Sequence, residues 1–202
     1  LYRRYFPSRS PLGAYVGLWR FEQKGLIQPK IIESSGKNYV WTLTKKGYQV
    51  IAPHLPKLRE NGFQSENPAH DLVVTAAHLG EYLLALPEHI ELFTEQQLRR
   101  YLPEFYPAWI PSEVGHRADG YWRIKGGDIK ETIALEVELS RKTKAEYQDV
   151  ARYYLLKEQI TKVLWIVGTP HLGVLIHNQM TVGSFGERKI HNLLTYEQFQ
   201  RF

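Results

Sequence analysis

His116-Arg117-Ala118-Asp119-Gly120-Tyr121-Trp122-Arg123-Ile124, a Gly126-Gly127-Asp128 turn, and then Thr132-Ile133-Ala134-Leu135-Glu136-Val137-Glu138-Leu139 form the stretch on which the reading of the fold turns. Two runs rich in β-branched and aromatic residues around a glycine turn spell a β-hairpin. In the second run Ile133, Leu135, Val137 and Leu139 alternate with Thr132, Ala134, Glu136 and Glu138. Strand side chains alternate between faces, so Glu136 and Glu138 emerge together, about 7 Å apart. Two carboxylates so placed repel unless water, a basic residue or a metal ion screens them. The plainest interpretation puts both glutamates on a wet face and makes Asp119 a turn residue before Gly120.

Outward from the hairpin, residues 142–157 place Tyr147, Val150, Ala151, Tyr154 and Leu155 on one apolar stripe of a helix, with Lys144, Gln148 and Arg152 in an i, i+4 row on its other side. Lys162 to Val167 is a short apolar run suited to a buried strand. Strand, helix and strand of these lengths imply a right-handed crossover and parallel pairing. An aspartate on the first strand of a hairpin, an acid-x-acid pair on the next, and a helix carrying Lys or Gln together resemble the PD-(D/E)XK nuclease superfamily. More narrowly, HRADGYWRI, IALEVELSRKTKAEYQDVARYYL and VLWIV resemble the bacterial replication-relaxation family, whose members pair a winged helix with such a domain and are associated with plasmids and mobile elements.

The resemblance implies that Asp119 and Glu136 are metal-binding acids, that Glu138 stands where a lysine is usual, and that Lys144 or Gln148 contacts phosphate. Asp119, Glu136 and a backbone carbonyl would offer Mg2+ hard oxygen ligands. The ion would polarise a scissile phosphate and acidify its bound water, which Glu138 could orient or deprotonate. The activity so implied is that of a Mg2+-dependent DNA endonuclease or nickase. The sequence departs from the pattern at Glu138 and at Ala118, which replaces the proline before the aspartate. Many relatives with altered triads have lost cleavage, so an inherited but inactive nuclease fold stands beside the active one. His116, three residues before Asp119, and Glu81, on a helix read over 70–86, are further candidates for the site.

The N-terminal third differs in charge. Residues 1–65 carry eleven Lys and Arg against three acids, a net of +8, whereas the whole chain is only +5. One basic module beside one mildly acidic module is the pattern of a polyanion-binding piece attached to something else. Ser10 followed by Pro11 reads as a helix N-cap, and the helix would stop at Gly25, with Leu12, Tyr15, Val16, Trp19 and Leu26 on its apolar stripe. An extended run from Leu26 to Glu33, a polar turn over 34–38 and a second run from Tyr39 to Leu43 read as a hairpin, after which Thr44 caps a short helix. Trp19 to Ile27 and Tyr39 to Gly47 resemble the LxxLEKxGLI and YxLTxKG segments of bacterial winged-helix regulators. In those families the helix lies in the major groove and the hairpin tip touches phosphate or the minor groove. Arg9, Arg20, Lys24 and Lys37 are the DNA-contact candidates. Too few residues precede Ser10 for the two usual leading helices, so they lie upstream of Leu1 or the module is incomplete.

The expected fold is therefore of the α+β or α/β class. A winged helix-turn-helix over 1–65, with a proline-bearing linker from about 52, precedes a nuclease-like domain over 66–202 whose mixed sheet is flanked by helices. The expected partners are DNA and other replication or mobilisation proteins, with a homodimer allowed. A non-catalytic regulator that binds an operator or origin is the alternative. Absence of cysteine excludes disulfides and zinc-thiolate sites and favours a cytoplasmic address. No phosphate loop, dinucleotide fingerprint or Gly-x-Ser-x-Gly elbow is present, and no apolar run is long enough for a membrane span.

Overall fold

A computed structural model of the chain describes residues 10–32, 38–55, 67–79, 88–112, 115–126, 129–181 and 190–195. It divides into two compact units, Leu1–Leu86 and Pro87–Phe202. The division falls later than residue 65, because the helix over 68–79, expected to open the second domain, contacts the first hairpin. The chain is a mixed α+β protein, and among the described residues no helix is long and apolar enough to cross a membrane.

In the first unit, α1 (Pro11–Gln23) leads into a hairpin of β1 (Ile27–Ile32) and β2 (Asn38–Leu43), followed by α2 (Lys45–Ile51), a 3-10 turn (Ala52–His54) and α3 (Pro68–Leu79). The strands are antiparallel, in register from Ile27 opposite Leu43 to Ile32 opposite Asn38. Ser10 Oγ caps α1 by accepting the Gly13 N–H at 3.2 Å, with Pro11 in the first turn. At the other end the Gly25 N–H donates to the Glu22 carbonyl at 2.7 Å and the Leu26 N–H to that of Phe21 at 3.0 Å. That pair of bonds is a Schellman stop. It needs a left-handed residue, which Gly25 supplies at φ 66°.

The hairpin returns its chain to this same corner. The Thr44 N–H donates to the Leu26 carbonyl at 3.0 Å, and the Thr44 hydroxyl donates to the Gly25 carbonyl at 2.5 Å while accepting the Gly47 N–H at 3.0 Å. The Lys46 ammonium donates to the Lys24 carbonyl at 2.8 Å. Lys24-Gly25-Leu26 and Thr44-Lys45-Lys46-Gly47 are thus one joint.

The apolar stripe of α1 faces the other way from expectation. Leu12 is 73% exposed and Trp19 49%, with Tyr15 and Val16 also exposed, while Ala14 and Gly17 are buried. Periodicity marks two faces of a helix without saying which is covered. Here the face with the smallest side chains makes the close approach.

The second unit is built on one five-stranded sheet in the order β3 (Ile90–Thr94), β4 (Gly120–Gly126), β5 (Ile129–Glu138), β6 (Lys162–Val167), β7 (His191–Thr195). The first two pairings are antiparallel and the last two parallel. Helices α4 (Glu95–Arg100), α5 (Lys144–Leu155) and α6 (Pro170–Thr181) flank it. The expected capping box of Thr94 with Gln97 is formed, and Thr143 with Glu146 makes another at the start of α5. Phe93, Tyr121, Ala134, Val163 and Trp165 meet Tyr147, Ala151, Tyr154, Leu172, Ile176 and Met180 in the core. Helix α6 and strand β7 lie beyond Val167, the last element read from the sequence.

A Cβ on Gly47 would stand 1.9 Å from the Leu26 carbonyl oxygen, a backbone atom with no side-chain freedom to yield. Gly47→Ala is therefore expected to destabilise the first unit by about 1–3 kcal/mol or more. Urea unfolding followed by tryptophan fluorescence measures it, and an unchanged midpoint would refute the close approach.

Candidate functional site

Three acids converge where β4 begins and β5 ends. Asp119 directly precedes β4, and its N–H donates to the Leu135 carbonyl at 3.0 Å. Its Oδ2 then accepts the Val137 N–H at 2.7 Å, so the carboxylate takes the place that a backbone carbonyl would have on the next rung. Gly120 follows at φ 154°, a region that favours glycine. Glu136 and Glu138 are 5% and 3% exposed, which corrects the wet-face expectation. Both faces of β5 are covered, and the acids share theirs with the buried Ala134.

Each buried carboxylate has partners. Glu136 Oε1 accepts the Tyr154 hydroxyl and lies 2.6 Å from His116 Nε2. The Lys142 ammonium sits 2.8 Å from Glu138 Oε2. That ion pair is supported by a backbone hydrogen bond at Ser140 to the same carboxylate. Lys142 is held by its own N–H, which donates to the Tyr147 hydroxyl at 3.0 Å, just before the Thr143 cap of α5. The helix that covers the acids thereby also positions their counter-ion.

The electrostatics are mutual. Burial disfavours a charged His116, but the charge and hydrogen bond of Glu136, with Asp119 behind it, outweigh burial and the repulsion of Lys142, and its pKa is raised. Lys142 behaves alike: burial opposes its charge, while contact with Glu138 and the fields of Glu136 and Asp119 raise its pKa. Burial also raises the pKa of Glu138, against the lowering influence of Lys142. Burial, followed by the charge of Glu136, pushes Tyr154 well above the ordinary phenol, leaving it a donor.

The structure thus brings together Asp119, Glu136, Glu138 and His116, and adds Lys142, which the sequence reading passed over. Lys144 is exposed and Gln148 half-buried, and neither makes a hydrogen bond or ion pair with the acids. The error has a physical source: the row Lys144, Gln148, Arg152 lies across the helix from the stripe that meets the sheet, whereas Lys142 reaches back from the loop. Its spacing, four residues after Glu138, was the available signal. Glu81 lies outside the described residues, as do Arg9 and Lys37. Arg20 and Lys24 are exposed, and so are Lys45 and Lys46, which the sequence reading had not singled out.

The donor set is right in kind for Mg2+, which prefers hard oxygens and takes one or two carboxylates with its waters. Its arrangement is not. Both buried glutamates are engaged by cations or hydroxyl, and among the described residues no group of three or more His, Cys, Asp or Glu is placed to hold a metal. The residues present do not fit the ion.

Beside the acids, the Trp165 indole N–H donates to His191 Nδ1 at 3.1 Å, with the Tyr154 ring against the same imidazole. Burial lowers the His191 pKa from 6.5 to about 4. The unfolded chain therefore binds a proton that the folded one refuses. This stabilising contribution is complete above about pH 6.5 and is lost as pH falls towards 4. His191→Gln should flatten the decline of Tm over that window, and a slope equal to wild type would discount the buried neutral ring. Tyr154→Phe should cost about 1–3 kcal/mol by taking a donor from buried Glu136, and an undiminished unfolding free energy would show the bond to be dispensable. Comparison of the chain with protein-family models, with curated proteins and with solved structures finds no match.

Proposed function

We propose that this chain is a DNA-binding protein whose first unit is a winged helix-turn-helix. Its second unit is a PD-(D/E)XK-like domain that works without cleaving DNA. The observation that carries the DNA-binding part is the basic joint of the first unit. Arg20 and Lys24 are one helical turn apart, and the Lys46 ammonium reaches the Lys24 carbonyl, so three cations gather at the end of one helix. A helix of this kind fits the major groove, and cations at its end neutralise phosphates. The net charge of +8 over residues 1–65 supplies the long-range attraction.

For the second unit, a mixed sheet with the acids on a hairpin and a helical crossover supports the nuclease-like reading. The pairing of Glu136 and Glu138 with His116, Tyr154 and Lys142 supports the non-catalytic version of it. Regulation of replication, mobilisation or transposition of a plasmid or other mobile element, through contacts with DNA and with proteins of that process, rests on the sequence resemblance alone.

Fluorescence anisotropy with duplex oligonucleotides at several salt concentrations tests the reading. Arg20→Ala and Lys24→Ala should each weaken binding to all sequences alike and reduce the salt slope by about 1. Absence of salt-sensitive binding in the wild type would end the proposal. Nicking of supercoiled plasmid in Mg2+, abolished by Glu136→Ala with DNA affinity kept, would instead establish the nuclease.

A further inference from the structure

We infer that the exposed apolar face of α1 reads the C5-methyl groups of thymine in the major groove, so that the first unit selects DNA by its thymines. The inference rests on the DNA-binding reading of the first unit and names the bases it recognises. It is independent of what the second unit does.

Three observations carry it. Leu12, Val16 and Trp19 fall within about 60° of one another round the helix, with Tyr15 beside them, and all four are exposed, at 73%, 38%, 49% and 58%. The opposite side, with Ala14 and Gly17, is the buried one, so this face is not the one turned to the interior of the unit. Residues 11–19 carry no charged side chain, so the first two turns of α1 present hydrocarbon and aromatic rings. Tyr15 is steadied at the margin of the face by an edge-on contact with the Trp41 ring of β2, 6.5 Å between centroids.

A contiguous exposed apolar patch marks an interaction surface, and the charge around it selects the partner. Arg20 and Lys24 follow on one flank of the same helix, and the Lys46 ammonium reaches the Lys24 carbonyl. With a net charge of +8 over residues 1–65, this frame attracts a polyanion and repels a second copy of the chain. In a helix-turn-helix the N-terminal part of the recognition helix meets base edges. Leu12 and Val16 stand there, and neither side chain has a hydrogen-bond donor or acceptor. The apolar feature that distinguishes one base pair from another in the major groove is the thymine methyl. Each methyl taken out of water against such a face contributes about fourfold in affinity.

The test is binding of the full chain to four alternating duplex polymers, measured by competition against a fluorescent oligonucleotide. Alternating dA-dT is compared with dA-dU, which lacks only the methyl group, and dG-dC with its 5-methylcytosine form, which places a methyl in the major groove. The dA-dT polymer should bind at least about tenfold more tightly than dA-dU, and the 5-methylcytosine polymer more tightly than dG-dC. Leu12→Ser and Val16→Ser should each bring the dA-dT to dA-dU ratio towards one while leaving the salt slope unchanged, because apolar contacts release no counterions. Equal affinity for dA-dT and dA-dU would overturn the inference, with salt-sensitive binding to both leaving the DNA-binding reading intact. A ratio unchanged in both folded variants would overturn it too. So would a wild-type dimer that Leu12→Ser dissociates without altering the ratio, which would assign the face to a second copy. If one variant does not fold the other decides, and if neither folds the wild-type gain on 5-methylcytosine decides alone. Lack of salt-sensitive binding to any of the four polymers would end the DNA-binding reading and this inference with it.

Discussion

Carboxylates taken out of water must be repaid by partners, and the second unit is organised around that requirement. Strand β5 is the third of five, and a central strand has no free edge and two covered faces. Placing Glu136 and Glu138 on it removes both from solvent. Desolvation of an ion pair often matches or exceeds its Coulombic gain, so such a cluster contributes more to specifying an arrangement than to raw stability. The arrangement specified here is the seating of α5. Tyr154 from its last turn reaches Glu136, Tyr147 from its first turn holds the Lys142 backbone, and Lys142 answers Glu138. A shift of the helix by one residue would break all three at once.

The first unit meets a different requirement, that of turning a helix into a hairpin and bringing the hairpin back. Gly25 ends the helix, Thr44 bonds to the carbonyls around it, and Gly47 lets the next helix close over Leu26. The residues that make the sequence resemble winged-helix regulators are largely those of this joint. Their resemblance therefore has a mechanical basis: Thr and the two glycines hold backbone contacts that few other residues could make, while the lysines between them remain exposed.

What could be read from the sequence follows from which signals are local. Caps at Ser10, Thr44 and Thr94, the stop at Gly25 and the alternation in β5 depend on a few neighbouring residues, and all were legible. The side of α1 that is covered, the burial of Glu136 and Glu138, and the choice of Lys142 over Lys144 depend on what lies across space. No period in the sequence encodes a neighbour's position. Of the acids, Asp119, Glu136 and Glu138 were found by spacing, and His116 by its nearness to Asp119. Their mutual partners were hidden because Tyr154 read simply as part of an apolar stripe, its hydroxyl unused. Helix α6 was also within reach, since Leu172, Ile176 and Met180 recur every four residues and all three are buried.

The sheet order of the second unit has a bearing on how the molecule is made. Each strand lies next to the one that precedes it in the chain, from β3 through to β7. Such a sheet can grow by accretion at a single front, each new strand closing only the loop or crossover just synthesised. Loop-closure entropy then stays small at every step, and topologies of that kind nucleate faster than those that await a distant segment. Emergence from the ribosome, N-terminus first, would proceed in the same direction as assembly, leaving no central gap for a late strand to find.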